Sequence, residues 1–493
     1  MKIKKLINNF NDSGKSLSQR VVRGGFWVFL LRITQQLFNF VRLIILARIL
    51  SPNDFGLMGI ALLTMATLDT FSQTGFQQAL IQKKKDIKPY LDSAWTVLIL
   101  RGFVLFAILF FIASYVASFF NAPEAKPIIQ VIGFAVLFQA FTNIGVIYFQ
   151  KELEFNKQFI YQLSGILADF VVAISAALIL RSVWALVFGL LAGNAVRCFV
   201  SYLIHPYRPH LNLDLGKARE LFRFGKWVLG SSILIFLLTQ GDDIFVGKLL
   251  GAIALGFYQM AYRISNIPAT EITHVISQVT FPAYSKLQDN IPKLKEAYLK
   301  VLQVTAFLSF PVAGLIFVLA SDFTKIFLGE KWMPMVPAMQ VLAIFGVTRS
   351  INATIGSFFQ GFGKPNIITF GAGFQLAVLA AIIYPLTSKW GILGASLAVV
   401  IPNILVLIYL IKKVATIINC RLIQFIRVLL PLLIGSIIIS VIIFFFRTWT
   451  DRSLISFLFS IFFGFNLYFI GMYKIDQIFN CGLKNNLMGL FKE

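Results

Sequence analysis

Apolar blocks of membrane-crossing length follow one another along almost the whole chain, and no other feature restricts its fold so tightly. A helix rises about 1.5 Å per residue, so about 20 apolar residues cross the roughly 30 Å hydrocarbon layer of a bilayer. Such blocks are read at 26–46, 55–80, 92–119, 127–150, 158–180, 183–204, 225–249, 254–284, 299–320, 334–360, 366–386, 390–411, 424–446 and 453–473. The expected fold is all-α: a polytopic integral membrane protein of about fourteen transmembrane helices. Charged residues make up 13% of the chain and mean hydropathy is +0.80. A water-soluble domain carries roughly a quarter charged residues, so this chain has too little polar surface to stand in water. The block at 26–46 is too long for the apolar core of a signal peptide and is read as the first span.

The loops decide the orientation. With the N-terminus in the cytoplasm, 29 of the 44 Lys and Arg fall on cytoplasmic segments, 9 on outside segments, and six Arg lie inside spans. Basic residues concentrate on the cytoplasmic side of membrane proteins, so both termini are expected there. The net charge of +23 therefore belongs to loops, and no nucleic-acid partner is implied. Cys198, Cys420 and Cys481 are far apart and have neither disulfide nor metal-ligand spacing.

The chain repeats itself. At an offset of 200, Gly25, Trp27, Ile44, Leu50 and Gly56 meet Gly225, Trp227, Ile244, Leu250 and Gly256. At an offset of 210, Pro127, Gln130, Val131, Phe149, Gln150 and Asn156 meet Pro337, Gln340, Val341, Phe359, Gln360 and Asn366. The repeat holds six helices, an even number, so both copies enter the membrane from the same side. They are two parallel six-helix lobes with pseudo-twofold symmetry about the membrane normal, a design that suits alternating access. The organisation expected is a cytoplasmic segment 1–24, an N-lobe 25–204, a cytoplasmic linker 205–224, a C-lobe 225–412, a peripheral lipid-facing helix pair within 413–474, and a cytoplasmic tail 475–493.

The stretches LARILSPNDFGLMGIA and VGKLLGAIALGFYQMAYRI, with YFQKELEFNKQF and FFQGFGKPN, resemble the multidrug/oligosaccharidyl-lipid/polysaccharide (MOP) exporter superfamily, in particular its polysaccharide-transporter branch. The resemblance covers roughly residues 18–412. It implies a carrier in the bacterial inner membrane that moves an undecaprenyl-pyrophosphate-linked oligosaccharide to the outer leaflet. Its expected partners are that lipid-linked cargo, membrane lipids, and the polysaccharide polymerase and chain-length machinery. It also implies a cavity lined by the first, second, seventh and eighth helices.

The charges within spans fit that expectation. Seven of the eleven lie on those four helices: Arg32, Arg42, Asp69, Asp242, Asp243, Arg263 and Glu271. A charge at mid-membrane costs roughly 2.5–3.5 kcal/mol on insertion scales and normally faces a cavity or a partner. On the first span Arg32, Gln35, Gln36, Asn39 and Arg42 recur every three or four residues, which puts them on one face. Asp69 and Gln73 on the second, Gln240 on the seventh, and Gln259, Arg263 and Asn266 on the eighth extend the polar lining. Arginine suits a pyrophosphate because its planar fork donates two hydrogen bonds and stays charged. Amide side chains suit sugar hydroxyls. Interhelical bonding is the competing reading, and it is preferred for Arg101, Asp169, Arg197 and Arg349.

Arg42 and Asp242 occupy equivalent positions in the two halves. An outer gate is expected in which Arg42 pairs with Asp242 or Asp243, with Glu271 and His274 as further titratable groups. No nucleotide-binding loop is present, so ATP is not the direct drive. No cofactor or metal is implied. A diphosphate moving outward gains about 2.3 kcal/mol per charge per 100 mV from the membrane potential. Exchange of H⁺ or Na⁺ through Asp69, Asp242, Asp243 or Glu271 stays open beside it. Rival readings are a drug or cation antiporter, a peptidoglycan-precursor flippase, and a membrane glycan polymerase. The last needs a sizeable outside loop, which the chain lacks.

Overall fold

A computed structural model describes residues 17–83, 86–267, 269–270, 273–451 and 453–479. All regular structure among them is helical. Eleven of these helices are long and apolar enough to cross a membrane, or twelve if one bent pair counts as a span. The helices are α1 Leu17–Ile49, α2 Pro52–Phe71, α3 Phe76–Gln82, α4 Lys88–Phe119, α5 Ala125–Phe141, α6 Ile147–Lys151, α7 Phe155–Leu180 and α8 Trp184–Ile204. They continue as α9 Leu215–Ser265, α10 Thr273–Leu287, α11 Ile291–Phe323, α12 Val336–Gly361, α13 Asn366–Ile417, α14 Leu422–Trp449 and α15 Leu454–Phe479.

The expected number of fourteen is not reached by this count, and the reason is local. Two pairs of expected spans have no loop between them. The 52-residue α13 would be about 78 Å long if straight, over twice the hydrocarbon thickness. It breaks at Gly391, whose φ of 57° and ψ of −137° suit glycine alone. The 51-residue α9 breaks in the same way at Gly251, φ 84°.

The chain divides into two compact units. One takes the chain up to Leu50 together with Ala61–Ile233; the other takes Ser51–Ile60 together with Leu234–Glu493. The repeat is visible in their backbones. Left-handed corners stand at Leu153 and Arg181 in the first and at Gly363 and Gly391 in the second, pairs related by the 210-residue offset. Gln130 donates to the Phe110 carbonyl, and its equivalent Gln340 donates to the Phe317 carbonyl. Both family-like stretches around 148–159 and 358–366 thus encode a sharp corner after a helix.

In the second unit, Ser51 and Asp54 cap the start of α2. The Asp54 carboxylate accepts from Ser51 N at 2.8 Å, and Ser51 Oγ accepts from Asp54 N at 3.2 Å. This is a capping box with Pro52 at the first helical position. One turn later α2 crosses α9 just beyond its break. A Cβ on Gly56 would strike the Ala252 carbonyl, and one on Gly256 would strike the Pro52 carbonyl. Positions 52 and 56 are the 200-residue equivalents of 252 and 256, so the contact is reciprocal in the repeat: each glycine meets the backbone at the start of the other's segment. Trp332, fully buried, is held between Phe55 and Phe257 at ring distances of 5.2 and 5.9 Å.

The last helix pair is less peripheral than expected. Phe425, Leu432, Ile439 and Ile443 of α14, with Phe457, Tyr468 and Met472 of α15, are buried in the core around α11. Arg447 Nε lies 2.8 Å from Asp322 Oδ2, and both side chains are almost fully buried. The far faces, including Ile437, Phe444, Ile455 and Phe462, are exposed and suited to lipid.

The linker is also shorter as a loop than expected. Helix α9 already begins at Leu215, where the Asp214 carboxylate accepts from Gly216 N and Lys217 N as an N-cap. Residues 205–214 are strapped to the start of α4. Tyr207 Oη and His210 N both donate to Asp92 Oδ1, Asn212 N donates to Thr96 Oγ1, and Asp214 N donates to Ser93 Oγ. His205 stacks on Tyr148 with 5.5 Å between centroids and accepts from Tyr207 N at Nδ1. Burial and then the nearby Lys157 push its pKa below 6.5.

Two outcomes are expected. Arg181→Gly relieves about 1–2 kcal/mol of left-handed strain and gives back about 0.4–1 kcal/mol of unfolded-chain entropy. Thermal melting in detergent should show a net gain of about 0.5–1 kcal/mol, and Gly391→Arg should show a loss. For His205, a depressed pKa means stability present above the unfolded value and lost as pH falls through the folded one. Amide exchange across 206–214, corrected for intrinsic rate, should therefore accelerate between pH 7.5 and 5, and His205→Phe should flatten that change.

Candidate functional site

Helix α1 carries the polar stripe read from the sequence. Gln35 and Gln36 are exposed, and Arg32, Asn39 and Arg42 are half-buried. Arg42 is the best defined. Its Nη2 lies 2.9 Å from Asp169 Oδ1 of α7, while its Nε is buried with no hydrogen-bond partner. Asp169 in turn lies against two glycines of α8. A Cβ on Gly189 would come within 2.5 Å of its Oδ1, and one on Gly193 within 3.0 Å of its Cβ. Arg197 crosses over Gly165, where a Cβ would meet its Cδ at 2.6 Å. Arg197 donates to Asn194 Oδ1 at 3.2 Å, and Gln139 donates to the same oxygen at 3.1 Å. The sequence signal for this close approach is GLLAG at 189–193, two small residues four apart, which let helix backbones meet. Sequence reasoning passed over it.

From the sequence, Arg42 is expected to pair with Asp242 or Asp243 at an outer gate. Arg42 pairs instead with Asp169 within the first unit. In the second unit Tyr258 Oη donates to Asp242 Oδ2 at 2.5 Å, and Gln259 Nε2 donates to Asp243 Oδ2 at 3.1 Å. Both aspartates are buried, and Asp242 Oδ1 has no hydrogen-bond partner. The physical reason is proximity. Both donors lie sixteen residues on in α9, past the Gly251 break that folds the helix back beside its own first part.

Asp69 is exposed and engaged by Arg101, whose Nη2 lies 2.5 Å from Oδ1. The same guanidinium donates to the Asp69 and Ser72 carbonyls at 2.9 Å each, which caps the C-terminal end of α2 with a cation. Arg349 of α12 donates to Tyr262 Oη at 2.9 Å and to Asn266 Oδ1 at 3.3 Å, so the expected cavity residue Asn266 is buried and held within its unit. Arg101, Asp169 and Arg349 thus bond helix to helix, whereas the hydrogen bonds of Arg197 stay within α8. Gln73, Gln240 and Gln259 are half-buried and Arg263 is exposed. Glu271 lies outside the described residues, as does the side chain of His274 on α10.

Residues 45–337 match the family described as "Polysaccharide biosynthesis protein". The lipopolysaccharide biosynthesis protein WzxC of Escherichia coli (strain K12) is 28% identical over 354 residues, 71% of this chain and 72% of that one. The teichuronic acid biosynthesis protein TuaB of Bacillus subtilis (strain 168) is 24% identical over 355 residues, 71% of this chain and 73% of that one. Among solved structures, the lipid II flippase MurJ in an inward closed conformation superposes with a TM-score of 0.74 at 15% identity, over 93% of this chain and 99% of that one. An inward-facing multidrug resistance MATE family transporter of the MOP superfamily gives 0.60 at 15% identity, over 78% of this chain and 95% of that one. These two likenesses concern the fold.

The Arg42–Asp169 pair can be tested directly. Each partner keeps about a fifth of its side chain exposed, 20% and 24%. Asp169→Ala should cost about 2 kcal/mol, less than the about 3–5 kcal/mol of breaking a fully buried pair. Adding Arg42→Met should recover most of that loss in a double-mutant melting cycle.

Proposed function

Because this chain belongs to the polysaccharide biosynthesis protein family, we propose that it is a flippase that carries a lipid-linked oligosaccharide across the membrane by alternating access. The chain is a multi-pass membrane protein, and its relatives are named for lipopolysaccharide and teichuronic acid biosynthesis. The observation that carries the reading is the face of α1. A helix apolar enough to span a bilayer presents Gln35 and Gln36 exposed beside Arg32, Asn39 and Arg42. Arg42 is paired with Asp169, but lipid is a poor environment for the other four groups, whereas a hydrated path suits them.

In this reading Arg32 and Arg263 hold the diphosphate of an undecaprenyl-type carrier lipid. Gln35, Gln36, Asn39, Gln73, Gln240 and Gln259 meet sugar hydroxyls, and Asn266 positions α9 through Arg349. The bias of Lys and Arg supports cytoplasmic termini, and the family resemblance supports a bacterial inner-membrane carrier with cargo moving outward. The buried pair Asp242 and Asp243 favours coupling to H⁺ or Na⁺ over the potential alone. Polysaccharide polymerase and chain-length machinery would receive the cargo.

The test is a flipping assay with a lipid-linked oligosaccharide in proteoliposomes. Losing a charge-assisted hydrogen bond removes about 1.5–3 kcal/mol, so Arg32→Ala and Arg263→Ala should each slow transport about tenfold or more. Transport unchanged in both variants would overturn the assignment of the anion site.

A further inference from the structure

The first unit contains a cavity of about 280 Å³ that the repeat does not explain. Two broken helices open it. Helix α2 ends at Phe71 and the chain resumes as α3 after Gly75, φ 67°. Helix α5 stops at Phe141, and α6 leaves the elbow at 67° to it. Asn143 pins the elbow: its Oδ1 accepts from Gly145 N at 2.8 Å and its Nδ2 donates to the Tyr207 carbonyl at 2.7 Å. In the other half, the equivalent of this bent pair is the single continuous helix α12. The fold therefore does not require the elbow. Discontinuous helices are a common way for transporters to build a binding site.

Five glutamines, Gln77, Gln139, Gln150, Gln158 and Gln162, face the cavity with Tyr161, against an apolar wall that includes Phe76 and Phe149. Gln158 Oε1 is buried and has no hydrogen-bond partner. A buried orphan acceptor costs about 1–3 kcal/mol, so a turn of this side chain that lets its oxygen accept from an occupant of the cavity is favoured. Positions 158 and 162 correspond to Ile368 and Ala372 in the other half, so the helix tolerates apolar residues there. Among the described residues, no Asp, Glu, Lys, Arg or His lines the cavity. Three nearby cations among the described residues are engaged elsewhere: Lys83 with Glu220, Lys157 with Glu154, and Lys151 with the Leu80 and Lys83 carbonyls.

We propose that this cavity is a subsite for one uncharged sugar residue of the cargo glycan. Carboxamides both donate and accept, which matches the paired donor and acceptor character of neighbouring hydroxyls. The aromatic wall suits the C–H face of a pyranose ring. Small-ligand pockets run from about 300 to 1,000 Å³, so this one, at the lower limit, admits a single ring and not a repeat unit of several. The proposal rests on the flippase reading. It adds that glycan selectivity is set partly inside the first unit, apart from the anion-binding arginines.

The experiment uses the full chain in phosphatidylcholine nanodiscs and saturation-transfer NMR with methyl glycosides of a hexose, a 6-deoxyhexose and an N-acetylhexosamine. At least one should receive transfer. Gln158→Ile and Gln162→Ala, which copy the other half and so should fold, should each weaken it about fivefold. Absence of transfer from all three glycosides, or transfer that survives both substitutions, overturns the proposal. Loss of the signal in phosphatidylglycerol nanodiscs would identify a lipid glycerol headgroup as the occupant and overturn it equally. The wild-type flipping assay separates the two readings: transport without glycoside binding rejects the subsite alone, and glycoside binding without transport rejects the flippase.

Discussion

Hydrocarbon offers a polypeptide no hydrogen-bond partner, and this sets the terms for every segment of the chain. Each backbone N–H and C=O must be satisfied within its own helix or by a side chain brought to it. The long helices follow directly. So do the places where they stop. Where α2 ends, Arg101 supplies donors to the Asp69 and Ser72 carbonyls. Where α5 turns sharply, Asn143 supplies both a donor and an acceptor. Irregular backbone is tolerated at such points because a polar side chain takes over the role of the missing helical bond.

The same constraint governs the charged groups. Arg42 with Asp169, Asp69 with Arg101, and Asp322 with Arg447 each join helices distant in sequence. Ion pairs of this kind contribute little net stability, because desolvating both partners offsets much of their attraction. Their effect is to select which helix faces lie together. Arg447 shows this well. It fixes α14 to α11, so the last two helices are a built-in part of the second unit, with only their outer faces left for lipid.

Glycine marks the points where helices come closest. The Gly56–Gly256 crossing and the Gly165, Gly189 and Gly193 contacts have no room for a methyl group. Dispersion between backbones then takes the place that hydrophobic burial holds in water. The family-like motifs acquire a physical meaning from this. SPNDFG is a capped helix start followed by the crossing glycine, and the stretches around Leu153 and Gly363 are left-handed corners. The repeat itself is the source of the internal symmetry, and the elbow at 142–146 is where one half departs from it.

Much of this was legible in the residues alone. Hydropathy with a period of about twenty residues dictates helices across a bilayer, because chain length per crossing is a matter of geometry. The gapless offsets of 200 and 210 reveal two halves, and the spacing of Arg32, Gln35, Gln36, Asn39 and Arg42 reveals one polar face. Those are local or periodic properties. Partner choice is not. That Arg42 meets Asp169 depends on α1 lying against α7, and that the GLLAG stretch of α8 meets the same aspartate depends on α7 and α8 packing closely. The cavity lined by Gln158 and Gln162 likewise exists only because two helices break at one level, a coincidence in space that no linear spacing records.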